Sequence, residues 1–341
     1  MVLFLILYAV VCLWKIRFCK DENYLSVDNT LPVKGVFIIM VFFSHFKSYV
    51  SLVSAADQLL IAVVSLFGQA MVAMFLFYSG YGIMESIRKK SQSYIKSMPR
   101  KRILATLVRF DIAVLLYLLV CFIIGEKLTC SRVLYSFVAW DSLGNSNWYI
   151  FTVLVLYSIT YLIFRWVNSE KKALILLSSV VFAVIMLVSR FEIKPLHWYD
   201  TAMCYVLGMW YSVYRKTMES FLKNKVVYFV LVSFLSGLWL WMKGRNLFYP
   251  AAQQSFSNAV FALLIVFLTM RIRIKNPVLD WCGKYLFELY MLQRIPMILL
   301  SAAGLNQSVV LYFMLCGVVT CFMVKPFKKV TDTLLMIVFD K

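Results

Sequence analysis

Residues 34–45, KGVFIIMVFFSH, open on the cation Lys34, close on the imidazole His45 and are almost wholly apolar between them. Eleven residues at about 100° each return to nearly the same helix face three turns on, and at 1.5 Å per residue they span roughly 16 Å. With Lys34 at a membrane surface, His45 would lie near the bilayer midplane. A histidine there is either a structural group hydrogen-bonded between helices or a functional one, and an ionisable side chain at such depth is by default a candidate functional site.

The rest of the chain supports the membrane reading. Of 341 residues, 62% are hydrophobic and 15% charged, with mean hydropathy +0.82, which excludes a soluble globular domain. The formal charge of +19 would suit nucleic acid or anionic lipid, and the placement of the cations favours topology over nucleic acid. Eight cysteines are scattered with no CxxC or Cys/His ligand spacing, so neither a disulfide framework nor a metal site is expected. His45 and His197 are the two histidines of the chain.

Apolar runs at 2–14, 32–46, 59–84, 103–124, 148–166, 173–189, 198–214, 226–242, 257–270, 278–300 and 308–324 give an all-α bundle of about 10–11 spans. The first run lacks a preceding basic residue and reads as a retained helix rather than a cleaved leader. Alternating sides from there puts 25 Lys and Arg in one set of connecting segments and 7 in the other. Cytoplasmic loops collect Lys and Arg, so the N-terminus is expected outside, and Lys34 and the C-terminus in the cytoplasm. The whole chain reads as one membrane domain with a core at about 30–325, an extra N-terminal helix over 2–18 and an amphipathic tail over 326–341. The tail is expected to lie on the inner surface.

Two further features share the side of Lys34. Gly68, Ser79, Gly80 and Gly82 in GQAMVAMFLFYSGYG would let helices approach closely. The segment from Arg88 to Arg102 ends in the cluster Arg100, Lys101 and Arg102, where a phosphate-bearing ligand would find charge partners. On the opposite side lie Asn147, Trp148 and Tyr149, and KPLHWYD with His197 and Asp200. These aromatics suit an interfacial belt or a sugar. Arg109, Asp111, Glu288 and Arg294 fall inside spans, and six residues separate Glu288 from Arg294. That spacing turns the two apart on a helix, so each is expected to pair with another helix.

In this order, the Lys34 to His45 spacing, GQAMVAMFLFYSGYG, the basic loop running into RKRI, NWYIFTVLVLY and KYLFELYMLQRIPM resemble the acyltransferase 3 family of integral membrane O-acyltransferases. The resemblance covers residues 30–325. It implies transfer from cytosolic acetyl-CoA to a hydroxyl of a surface polysaccharide or lipid-linked sugar, in a bacterial cytoplasmic membrane. It further implies His45 as the essential histidine, with Lys34, Arg88, Arg100, Lys101 and Arg102 toward the donor. Asn147, Trp148, Tyr149, His197 and Asp200 would face the acceptor. The chain departs from the family in two places. Arg102 has Pro99 and Ala105 where an Arg-x-x-Arg would put its partner, and Gln293 stands where many members carry a histidine. The chemistry fits on its own terms, since acylating a sugar hydroxyl needs a base that works near neutral pH, and imidazole is the usual one. The competing expectation is a transporter or flippase for a sugar-bearing lipid, with His45, Arg109, Glu288 and Arg294 along its path. Transporters commonly show paired halves, and no such internal symmetry is seen.

Overall fold

A computed structural model describes residues 1–19, 23–245 and 247–339. It is a helical membrane bundle, and seven stretches among the described residues are long and apolar enough to span. Helix α1 (Val2–Leu13) lies on α2 (Val27–Phe46), where Tyr8 Oη donates to the Val36 carbonyl at 3.1 Å. The segment expected as a helix over 2–18 ends at Leu13, and its last residues instead form a short strand. Strand β1 (Ile16–Phe18) pairs antiparallel with β2 (Ile272–Ile274), Arg17 opposite Arg273. The ladder satisfies backbone groups that a loop would leave to solvent.

Two runs expected as single spans are broken. Residues 59–84 divide into α3 (Ala55–Phe67) and α4 (Ala70–Met98) at Gly68, whose φ of +47° suits a residue without a Cβ. Residues 278–300 divide into α12 (Pro277–Lys284), α13 (Leu286–Leu292) and α14 (Arg294–Ala302). Between these segments run a π-helical turn at Pro99–Leu104, α5 (Ala105–Ile123), α6 (Cys130–Phe137), α7 (Asn147–Trp166) and α8 (Glu170–Arg190). After them come α9 (Ala202–Phe221), α10 (Lys225–Met242) and α11 (Pro250–Thr269).

The expected tail at 326–341 is not a separate surface element. Helix α15 (Val309–Phe339) runs through Pro326 without interruption, and residues 340 and 341 lie outside the described residues. Its last turns are held by charge. Arg109 Nη2 is 2.9 Å from Asp332, and Lys328 Nζ lies 3.3 Å from Asp332 and 3.5 Å from Glu288. Glu288 is buried, so its pairing with Lys328 offsets the cost of taking a carboxylate out of water. Glu288 and Arg294 thus take separate partners, as their spacing predicts.

Contacts between connecting segments sort into two ends. At one, Met1 meets Asp57, Ser189 meets Tyr249 and Asn306 meets the Tyr49 carbonyl. At the other, β1 meets β2, Arg88 meets Glu170 and Arg271 meets the Leu222 carbonyl. The second is the basic end.

Two close crossings fix the interior. A Cβ on Gly80 of α4 would fall inside the van der Waals radius of the Tyr205 carbonyl oxygen, and one on Gly208 of α9 would strike the Phe77 carbonyl. The same reciprocal arrangement joins Gly35 of α2 to Leu279, and Gly283 of α12 to Leu31. Small residues let backbones touch where lipid offers no hydrophobic drive. The second crossing sits beside Lys34 and so anchors the helix that carries His45.

Candidate active site

His45 occupies the last turn of α2, whereas Lys34 is two turns into it because the helix begins at Val27. Ser26 starts it early by accepting from the Asn29 amide at 3.3 Å. The imidazole therefore stands level with the first turn of α7, closer to the end opposite the basic loops than its distance from Lys34 suggests. His45 Nε2 is 3.3 Å from Ser146 Oγ, and Nδ1 has no hydrogen-bond partner among the described residues. Its ring lies 6.2 Å from that of Tyr290 on α13, whose own ring is 5.3 Å from Tyr149.

Ser146 has no signature in the sequence, yet the loop before α7 is folded around it. Ser142 Oγ donates to the Asn145 carbonyl at 2.7 Å, Asn145 Oδ1 accepts from the Leu143 amide at 3.0 Å, and Ser142 Oγ accepts from the Gly144 amide at 3.1 Å. Gly144 adopts φ +101° under Ile298. Side chains replacing solvent as partners of a buried turn make it rigid, so the position of Ser146 is set before any ligand arrives.

Arg294 Nε donates to Tyr49 Oη at 3.1 Å, and its charge reaches His45. Gln293 is buried and donates to the Tyr290 carbonyl at 3.4 Å. It lines a cavity with Ile38, Phe42 and Phe313.

Toward the basic end Arg88 is the one of the five candidate cations that has a carboxylate partner among the described residues. Arg88 is tied to Glu170 at 3.5 Å and donates to the Ser212 carbonyl at 2.8 Å. Arg100 stacks over Phe339 at 5.1 Å, and Lys101 is exposed. Lys34 lies 5.4 Å above the Tyr78 ring, and Arg102 Nε donates to Tyr94 Oη at 3.0 Å. Arg102 is also within electrostatic reach of Tyr157 and Tyr205. Among the described residues, neither Lys34 nor Arg102 has a carboxylate partner. Tyr78 lies beside Lys34, and Tyr94 and Tyr157 lie near Arg102, none of them singled out in the sequence, and Ser79 meets Tyr157 Oη at 2.8 Å.

The acceptor candidates divide too. Tyr149 reaches the histidine through Tyr290, and Trp148 packs edge-on against His197 at 5.6 Å. Burial pushes the His197 imidazole below its ordinary pKa, which favours the neutral ring. Asn147 is buried, and its amide donates to the Ala139 carbonyl at 2.8 Å. Asp200 is 2% exposed and sits against α11, its backbone carbonyl accepting from Asn258 at 3.3 Å. Asp111 Oδ1 has no partner among the described residues, while Arg109 pairs with Asp332.

The histidine, the candidate cations and the aromatics beside them lie within one continuous region of homology. A family model, Acyl_transf_3, described as an acyltransferase domain, matches residues 33–324. The chain belongs to the acyltransferase 3 family. No curated protein and no solved structure matches it at a level that establishes a closer relationship. The family match begins one residue before Lys34 and ends two before Pro326, so it takes in His45 and Ser146 and leaves α1 outside. Membership makes the protein an integral membrane acyltransferase, and all the candidate site residues named above fall within the matched region.

Proposed function

We propose that the protein moves an acetyl group from cytosolic acetyl-CoA to a hydroxyl of a surface polysaccharide or lipid-linked sugar, with His45 as general base. The observation that carries this reading is the imidazole itself, held through Nε2 by a preset serine with Nδ1 unclaimed. When Nε2–H donates to Ser146 Oγ, the Nδ1 lone pair is free to accept a proton. The acceptor O–H bond breaks as its oxygen attacks the thioester carbonyl. The proton passes to Nδ1, a new C–O ester bond forms, the C–S bond breaks, and the proton leaves with the thiolate as coenzyme A thiol. Lys34 and Arg102, without carboxylates to compete, suit the phosphates of the donor. With the basic end in the cytoplasm of a bacterial inner membrane, the N-terminus lies outside and the acceptor enters over Trp148, Tyr149 and His197.

The test is release of coenzyme A by the purified protein given labelled acetyl-CoA and glycan or lipid-linked acceptors. Transfer of label to acceptor is expected. Absence of release with every acceptor, together with passage of a sugar-bearing lipid across vesicles, would replace this reading with the flippase. Substitutions at two places refine it. Lys34→Gln combined with Arg102→Gln should raise the donor KM by about 10–100-fold with a smaller change in kcat, because charge-assisted phosphate contacts are made in ground and transition state alike. Ser146→Ala should lower kcat about tenfold at nearly constant KM by releasing the imidazole ring from its set orientation, and Ser146→Thr should restore it.

A further inference from the structure

A second feature lies outside this path. Between α7 and α8, at the end opposite the basic loops, is a cleft of about 320 Å³ whose walls include Val155, Ile159, Val184 and Val188. That size and apolar lining suit a ligand rather than packing error. Its mouth is a cation in an aromatic frame. Lys194 Nζ lies 4.0 Å from the Trp140 ring and 4.4 Å from the Trp198 ring, and donates to the Trp140 carbonyl at 2.8 Å. Arg190, exposed in the last turn of α8, stands four residues before Lys194 in the chain. Asp141, the nearby carboxylate, accepts from the Ser142 amide through Oδ1 at 2.7 Å.

The cleft is joined to the histidine by covalent structure. Trp140 stands at the mouth, and Ser146, six residues on in the same folded loop, touches His45. Six residues reach at most about 20 Å. Helix α7 makes the same connection, presenting Tyr149 toward Tyr290 and, one and two turns later, Thr152 and Val155 to the cleft. An apolar slot topped by a cation fits an amphiphile with an anionic head, as basic pockets between membrane helices do.

We propose that the α7/α8 cleft binds the hydrocarbon chain of a phosphate-bearing lipid, with Lys194 on the phosphate and the head group directed along the Trp140–Ser146 loop toward His45. The cleft thereby makes the acceptor a lipid-linked molecule. This last step rests on the acyltransferase reading, whereas the binding site stands without it.

The test uses full-length protein in lipid nanodiscs and a phosphatidic acid with a diazirine in its acyl chain, compared with diacylglycerol bearing the same chains. Labelled peptides should map to α7 and α8. Val184→Trp, which fills the slot, should cut that labelling about tenfold through lost chain burial. Lys194→Gln should cut phosphatidic acid labelling about tenfold and leave diacylglycerol unchanged. Unlabelled phosphatidic acid should compete, and inorganic phosphate should not. Equal labelling by diacylglycerol and phosphatidic acid would make the cleft an ordinary boundary-lipid surface and overturn the proposal, as would labelling insensitive to both substitutions. Labelling needs no turnover, so it survives if the enzymatic reading fails. Acetylation of a water-soluble acceptor that Val184→Trp leaves intact would place the cleft on the lipid route alone.

Discussion

Glutamine in place of His45 is expected to lower acetyl transfer by about 10²–10⁴-fold, the usual worth of a positioned general base. Glutamine keeps the length and a hydrogen-bonding end for Ser146 Oγ, 3.3 Å from the native ring nitrogen, but it cannot take up a proton. Fold and donor binding should be unchanged, because Lys34 and Arg102 lie three turns and a separate loop away. Initial rates of coenzyme A release give the first quantity, and calorimetric titration with a non-transferable donor analogue gives the second. A fully active His45→Gln protein would take the imidazole out of the chemistry.

Leucine at Gly80 is expected to remove the folded protein altogether. Overpacking a well-packed interior costs about 1–3 kcal/mol where neighbours can shift, and here the neighbour is the backbone of Tyr205 rather than a flexible side chain. The helices α4 and α9 would have to part. With them would go the Ser79 to Tyr157 contact at 2.8 Å and the Thr160 to Tyr205 contact at 2.9 Å, which shape the floor of the proposed donor site. Gly82, two residues on, meets nothing within 4 Å of an added Cβ, so Gly82→Ala should behave as wild type, whereas Gly80→Ala already meets the Tyr205 carbonyl. Size-exclusion profiles and thermal melts in mild detergent compare the two. Equal melting of both variants would show that the crossing does not hold the bundle.

The class of fold was readable from composition, and the basic end from the distribution of Lys and Arg, because both depend on the solvent rather than on tertiary detail. His45 and Lys34 were legible since polar groups stand out against lipid-soluble neighbours. The breaks at Gly68 and within 278–300 were not, because hydropathy records apolarity and the segments on both sides of each break are apolar. Ser146 escaped for another reason. Its role depends on a turn closed by Ser142 and Asn145, and a short polar string before a helix looks the same whether or not it folds on itself. Asn147 and Asp200 read as ligand-facing because they stand near tryptophans; in the structure both are buried, Asn147 donating to the Ala139 carbonyl and Asp200 keeping Oδ1 without a partner among the described residues. Gly80 read as a packing residue in the sequence and is one in the structure, whereas Gly82 in the same string is not.

The π-helical turn at Pro99–Leu104 alters how this chain should be compared with its relatives. A wide turn takes in one more residue than an α-helical turn, so it acts as an insertion absorbed within a helix whose two ends stay in place. Every side chain beyond it is rotated about a residue's worth from the face that spacing alone would assign. Arg102 lies inside that turn and points at Tyr94 while Arg100 goes to Phe339. Two arginines separated by a single residue are thereby sent to different neighbours, which a spacing rule for a regular helix would not assign.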